Sequence, residues 1–184
     1  MRTLTSTLLF TAIIATASAT SAFADTMVGG QNMLASKDII DNAVNSADHT
    51  TLVAAVKAAG LVETLKGKGP FTVFAPTNAA FAKLPAGTVE SLLKTENKST
   101  LTKVLTYHVV AGKYDFMALT KDIKKQNGTA ELMTVSGGKL KFSMNGMHNI
   151  TVSDENGNTA NISTYDVTQS NGVINVIDSV LLPK

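Results

Sequence analysis

Met144, Met147 and His148 come nearest, by type and spacing, to a ligand set in this chain. They surround an Asn145-Gly146 turn, and a strand facing that turn would bring Met133 into consideration. Two soft thioethers and an imidazole suit Cu(I). The plainer reading is a hairpin with one core Met and one exposed Met, and with no thiolate to complete the set no metal or other cofactor is expected. The three histidines, His49, His108 and His148, lie far apart. No G-x-S-x-G elbow, H-E-x-x-H helix or phosphate-cradling Gly loop accompanies them; Gly128, Gly137, Gly138, Gly146, Gly157 and Gly172 all fall at expected turns. The chain is therefore not expected to be an enzyme.

Length and charge restrict the remaining options. The 184 residues, with no Cys, are enough for one domain that must be held by its own core, without disulfides. Sixteen Lys and Arg against fourteen Asp and Glu, with only Lys124-Lys125 adjacent in pairs, offer no basic footprint for nucleic acid. Residues 1–24 have the form of a signal peptide: Arg2, an apolar run from Leu8 to Ala17, then Ala22-Phe23-Ala24 ahead of Asp25. The run is shorter than the roughly 20 apolar residues that span a bilayer. Cleavage leaves 160 residues at a net charge of +1, because Arg2 leaves with the signal. No transmembrane segment is expected after cleavage, and the product is expected to be an exported monomer, periplasmic or secreted.

The elements that must position any site follow from periodicity. Residues 25–35 read as a flexible leader and 36–184 as the domain. Ser36 is placed to cap a helix whose face carries Ile39, Ile40, Ala43 and Val44. Leu52, Val53, Val56 and Ala59 make a second helix that Gly60 ends in a left-handed turn; Leu61, Val62 and Leu65 add one more turn. Phe71 to Ala75 is a short strand stopped by Pro76, with Thr77 capping the next helix through Ala80 and Phe81. Thr88 and Ser99 are expected to cap two further helices, bearing Val89, Leu92 and Leu93, then Leu101, Val104 and Leu105. Strand character returns over Tyr107 to Val110. After about Gly128 the period becomes two: Leu140, Phe142 and Met144, then Ile150 and Val152, then Ala160 and Ile162, separated by Gly- and Asn-rich turns. This is an antiparallel meander. Val173 to Leu182 is apolar on both faces and belongs in mid-sheet, where Asn175 and Asp178 need hydrogen-bond partners. Helices first and strands second predict an α+β fold with segregated layers.

Phe71 to Phe81 (FTVFAPTNAAF), Tyr107-His108 in LTYHVVAGKY, and Asn171 to Pro183 (NGVINVIDSVLLP) resemble, in order, the motif boxes of the fasciclin-like domain family. Phe74, Pro76, Thr77, Asn175 and Asp178 are the fold-defining positions of that likeness. Asn175 stands where many family members have His, and an amide can donate and accept as a neutral imidazole does. The resemblance implies antiparallel β-sheets wedged against several short α-helices. It also implies adhesion, by binding a cell-surface or matrix protein or polysaccharide, including biofilm-like contact. It further marks Tyr107 and His108, and Asp166 with Val167, as partner-binding candidates. Against this stands a structural reading, in which Tyr107 packs, His108 bonds internally and Asp166 caps the turn before Asn171-Gly172. Residues 164–168 (TYDVT) match the family's adhesion motif only at Asp166 and Val167. A carrier of a small ligand or of copper, using a pocket between helices and sheet, is the alternative function. Asn97, Asn127, Asn149 and Asn161 fit the N-glycosylation pattern, a short pattern that arises often by chance in a chain this rich in Asn, Ser and Thr.

Overall fold

A computed structural model describes residues 26–184; the expected signal peptide lies outside the described residues. The stretch read as a flexible leader instead forms a hairpin, β1 (Thr26–Val28) and β2 (Gln31–Met33), paired from Thr26↔Met33 to Val28↔Gln31. Gly29 and Gly30 both adopt positive φ at its turn. Met33 is buried, which is why so short a hairpin holds.

Helix α1 (Ile39–Ala43) is capped by Asp38 and not by Ser36: the Asp38 carboxylate accepts the Asp41 N–H at 2.8 Å. Helix α2 (Thr50–Ala59) buries Leu52, Ala55, Val56 and Ala59 and ends at Gly60 with φ 74°. Helix α3 (Val62–Lys66) supplies the expected extra turn. Strand β3 (Phe71–Pro76) leads to α4 (Asn78–Ala82), and Thr77 caps α4 by accepting the Ala80 N–H at 3.2 Å. In α5 (Thr88–Leu92) the capping position is Gly87, in the left-handed region, and Thr88 is already helical. Ser99 likewise lies inside α6 (Lys98–Tyr107), which a short 3-10 turn over Thr95–Asn97 leads into. Tyr107 therefore ends a helix and His108 follows it, while the strand expected from Tyr107 begins only at β4 (Val109–Ala111).

Helix α7 (Phe116–Lys125) is an element beyond those expected; Asp115 caps it and Leu119 and Ile123, four apart, are its buried face. The meander follows as expected: β5 (Thr129–Met133), β6 (Lys139–Asn145), β7 (Asn149–Ser153), β8 (Thr159–Gln169) and β9 (Gly172–Ile177). The strand order is β4-β3-β9-β8-β7-β6-β5. Neighbours are antiparallel except β3 and β9, which run parallel from Phe71↔Gly172 to Pro76↔Ile177. The proline-stopped segment and the C-terminal apolar run thus lie side by side in mid-sheet. The two outer strands also meet, through a Val110↔Thr134 bridge and a Val135 N–H donating to the Val109 carbonyl at 2.8 Å. The sheet curls upon itself, which shortens its exposed edges.

That curl creates two cores with one shared wall. Inside it, Phe74, Phe142, Leu140, Ile150, Val152 and Ile177 pack with Tyr107 and the buried face of α7. Phe74 and Phe142 have ring centroids 5.1 Å apart. On the other side, Val73 and Ala75 of β3, with Ile174 and Val176 of β9, meet α1, α2, α4 and α6. Alternation along β3 and β9 feeds both cores, so these strands are apolar on both faces.

Close backbone approach fixes the seam between β3 and β9. A Cβ on Gly172 would run into the Phe71 carbonyl, and one on Gly69 into the Asn171 carbonyl. Asn171 then ties in the helical layer: its carbonyl side accepts the Ile39 N–H at 3.1 Å, and its NH2 donates to the carbonyls of Leu65 and Gly67.

Candidate functional site

Tyr107 and His108 sit where α6 gives way to β4, and both are buried. The Tyr107 hydroxyl donates to the Lys139 carbonyl at 2.7 Å and accepts the Glu155 N–H at 3.1 Å. Burial pushes its phenol up. The His108 Nε2 accepts the Leu181 N–H at 3.0 Å, so the ring proton is on Nδ1, which donates to the Val104 carbonyl at 2.8 Å. Burial holds His108 down at about 4, against a partial upward pull from that carbonyl. Both nitrogens are engaged and the ring is neutral at pH 7. Its arrangement pins the C-terminal segment to α6.

Asp166 and Val167 fall at an irregularity in β8, where pairing with β9 shifts register between Thr164 and Val167. Asp166 takes φ 58°, which a short polar side chain tolerates better than most. It does not cap the turn before Asn171; its carboxylate accepts the Phe116 N–H at 2.8 Å, at the start of α7. Burial raises its carboxyl, partly offset by that bond. Val167 is 1% exposed and belongs to the helical core. Asn175, wholly buried, bridges the irregularity: its side-chain oxygen accepts the Asp166 N–H at 3.1 Å and its NH2 donates to the Tyr114 carbonyl at 3.3 Å. Asp166, Asn175 and Phe116 therefore form one unit. Asp178 lies apart and half-exposed. Burial favours its neutral form, but the Asn161 N–H and amide, the Ser179 hydroxyl and Lys83 outweigh this and hold its carboxyl below the usual range.

The methionine group does not converge. Met144 packs against the inner core, whereas Met147 is 85% exposed at the turn and His148 is exposed beside it. Met133 pairs with Lys139, at the opposite end of β6 from Met144. Among the described residues no three His, Asp or Glu side chains are grouped as metal ligands.

No motif or spacing singles out His49. A cavity of about 70 Å3, measured to the centres of water-sized spheres, lies between the helices and the outer face of β3, lined among others by Val28, Met33, Ile40, Val56 and Ile174. The His49 ring lines it, 4% exposed, with Nδ1 2.8 Å from the Ser46 hydroxyl. Its Nε2 is, among the described residues, the buried side-chain atom with no hydrogen-bond partner. The nearby Ala75 carbonyl favours the charged ring but does not close a hydrogen bond, and burial nonetheless pushes His49 down. Neither signal is legible one-dimensionally, since His49 ends a short 3-10 turn between two polar residues, Asp48 and Thr50.

A helical layer packed on a self-meeting sheet, pinned by Asn171-Gly172 and by the Tyr-His junction, defines an α+β module in which these boxes are structural joints. The chain belongs to the fasciclin family: the family model described as Fasciclin domain matches residues 47–183. Protein sll1483 of Synechocystis sp. is 49% identical over 146 residues, covering 79% of this chain and 73% of that protein. The immunogenic protein MPB70 of Mycobacterium bovis is 40% identical over 146 residues, covering 77% of this chain and 66% of that protein. A solved FAS1 domain pair from the insect cell adhesion molecule fasciclin I shares the fold, with a TM-score of 0.68 at 18% identity, over 78% of this chain and 50% of that one. No helix among the described residues is long and apolar enough to cross a membrane.

Proposed function

We propose that this protein is an exported, monomeric, non-catalytic fasciclin module that binds a cell-surface or matrix protein or polysaccharide, in adhesion or biofilm-like contact. Membership of a family that includes an insect cell adhesion molecule is the observation that carries this reading. Within the chain, Tyr107, His108 and Val167 are too buried to touch a partner, so their part is to hold the surface in shape. Asp166 is the candidate that keeps exposed atoms, on a backbone fixed by Asn175 and Phe116. A near-neutral surface means that shape and hydrogen bonding, more than charge steering, set such an affinity.

The test is retention of cells or matrix polymer on a surface coated with the purified protein, against the same surface coated with heat-unfolded protein. Saturable retention is expected, and no difference between the two surfaces would sink the reading. Asp166→Asn keeps an acceptor for the Phe116 N–H but turns the other carboxylate oxygen, an acceptor, into an NH2 donor, so it should weaken retention without lowering the melting temperature.

A further inference from the structure

We propose that the cavity between the helical layer and β3 is a binding site for one small neutral molecule, about an aromatic ring in size, whose hydroxyl meets the His49 Nε2. The proposal is independent of the adhesive reading, because the cavity lies inside the helical core.

Size comes first. One water needs roughly 10 to 15 Å3 of space measured to sphere centres, so about 70 Å3 corresponds to on the order of five waters. At about 70 Å3 the space is roughly half that of an engineered cavity that accepts benzene, so a single ring is the upper limit of size and enters only as the helical walls give slightly. Polarity comes second. The walls expose almost only apolar surface, and a buried water wants two to four polar partners, which Val28, Met33, Ile40, Val56 and Ile174 do not provide and which Ser46 and His108, already bonded elsewhere, do not offer. An apolar body fills this space better than water does.

The polar end follows from His49. Burial keeps the ring neutral, and Nδ1 is already committed to Ser46. If Nδ1 donates to the hydroxyl, Nε2 is an acceptor; if it accepts, Nε2 is a donor. A ligand hydroxyl satisfies either tautomer, because it both donates and accepts. A carboxylate does not fit: Lys57 at the rim is solvent-exposed, and the charge would be desolvated with no buried cation to meet it. The hairpin of β1 and β2 completes the wall with Val28 and Met33. It docks through Gly29, whose carbonyl accepts the Ala47 N–H and whose missing side chain leaves room for Ser46.

The test titrates the purified protein with phenol, toluene and benzoate, reading thermal midpoint, calorimetric affinity and the His49 ring resonances. Phenol is expected to bind saturably at about millimolar concentration or below, to raise the midpoint as mass action requires, and to move the His49 signals. Toluene, of the same shape without the hydroxyl, should bind about tenfold more weakly. Benzoate should show no saturable binding. In His49→Phe, which replaces an unpaired polar edge by an apolar one, phenol and toluene should become equivalent. Absence of saturable phenol binding, a phenol preference that persists in His49→Phe, or benzoate binding as tightly as phenol would each overturn the proposal. Should His49→Phe not fold, the wild-type ring resonances decide: binding that leaves them unmoved counts against the site.

Discussion

The two buried histidines border the same cavity and differ in how many of their ring nitrogens are satisfied. His108 borders that cavity too, but both its nitrogens are bonded to backbone groups, and it is 3% exposed and held neutral. His49 stands in the helical core beside open space, 4% exposed, with one nitrogen bonded and one bare. Equal burial therefore does not mean equal role. A histidine whose bonds are complete is a joint, and removing it orphans its partners; one left half-bonded against a cavity has a valence to offer.

The largest expected effect falls on the wall that both cores share. Gly172→Ala drives a Cβ into the Phe71 carbonyl, backbone that cannot swing aside, so a loss above about 3 kcal/mol in denaturant unfolding is expected. A variant as stable as wild type would mean that the seam between β3 and β9 is looser than described.

His108→Leu comes next. It orphans the Leu181 N–H and the Val104 carbonyl, at about 1 to 3 kcal/mol for each buried group. The variant also carries a pH signature. His108 has a folded value of about 4, below its ordinary 6.5, so the unfolded chain binds the proton first as pH falls. Stability from this group is complete above pH 6.5 and is lost on acidification towards pH 4, by about 3 kcal/mol in all. Asp166, its carboxyl raised by burial, acts in the opposite sense from its ordinary 3.8 up to its raised value. The quantity to measure is therefore the difference in slope between wild type and His108→Leu over pH 7 to 4. Parallel slopes would remove His108 as the source.

Asn175→Leu sharpens the contrast at a third polar residue. It leaves the Asp166 N–H and the Tyr114 carbonyl unpaired, and a loss above roughly 1 kcal/mol is expected. A gain in stability would place Asn175 with His49 as an incompletely satisfied group. His49→Phe should change stability by less than about 1 kcal/mol, since it loses one bond to Ser46 but also removes an unpaired buried atom. A loss as large as that of His108→Leu would erase the distinction between the two histidines. Least of all, Cu(I) at micromolar concentration should leave the thermal midpoint unmoved, because Met144 faces the core while Met147 and His148 face solvent.

Legibility followed the range of the interactions. Gly60 as a terminator, Thr77 as a cap and the meander after Gly128 were readable because each depends on neighbours a few residues away. Ser36, Thr88 and Ser99 do not take the capping positions, which fall to Asp38, Gly87 and Asn97, because several residues compete near each helix start and three-dimensional docking picks one. The hairpin before α1 was missed since its anchor, Met33, is buried by partners far along the chain. Among the candidate site residues, the valines after Tyr107 and His108 predict a strand there, yet the helix of Leu101, Val104 and Leu105 runs on through Tyr107.

Composition and periodicity alone determined the α+β class, the turn positions and the mid-sheet nature of the C-terminal run, because those features are set by side-chain alternation and local backbone preference. Tertiary structure alone decided that β3 and β9 run parallel, that Val110 meets Thr134 to bring the ends of the sheet together, and that Asp166 serves Phe116. It also decided which histidine is satisfied. Hydrogen bonds such as Leu181 to His108 join residues 73 positions apart, and no local pattern encodes whether such a partner arrives.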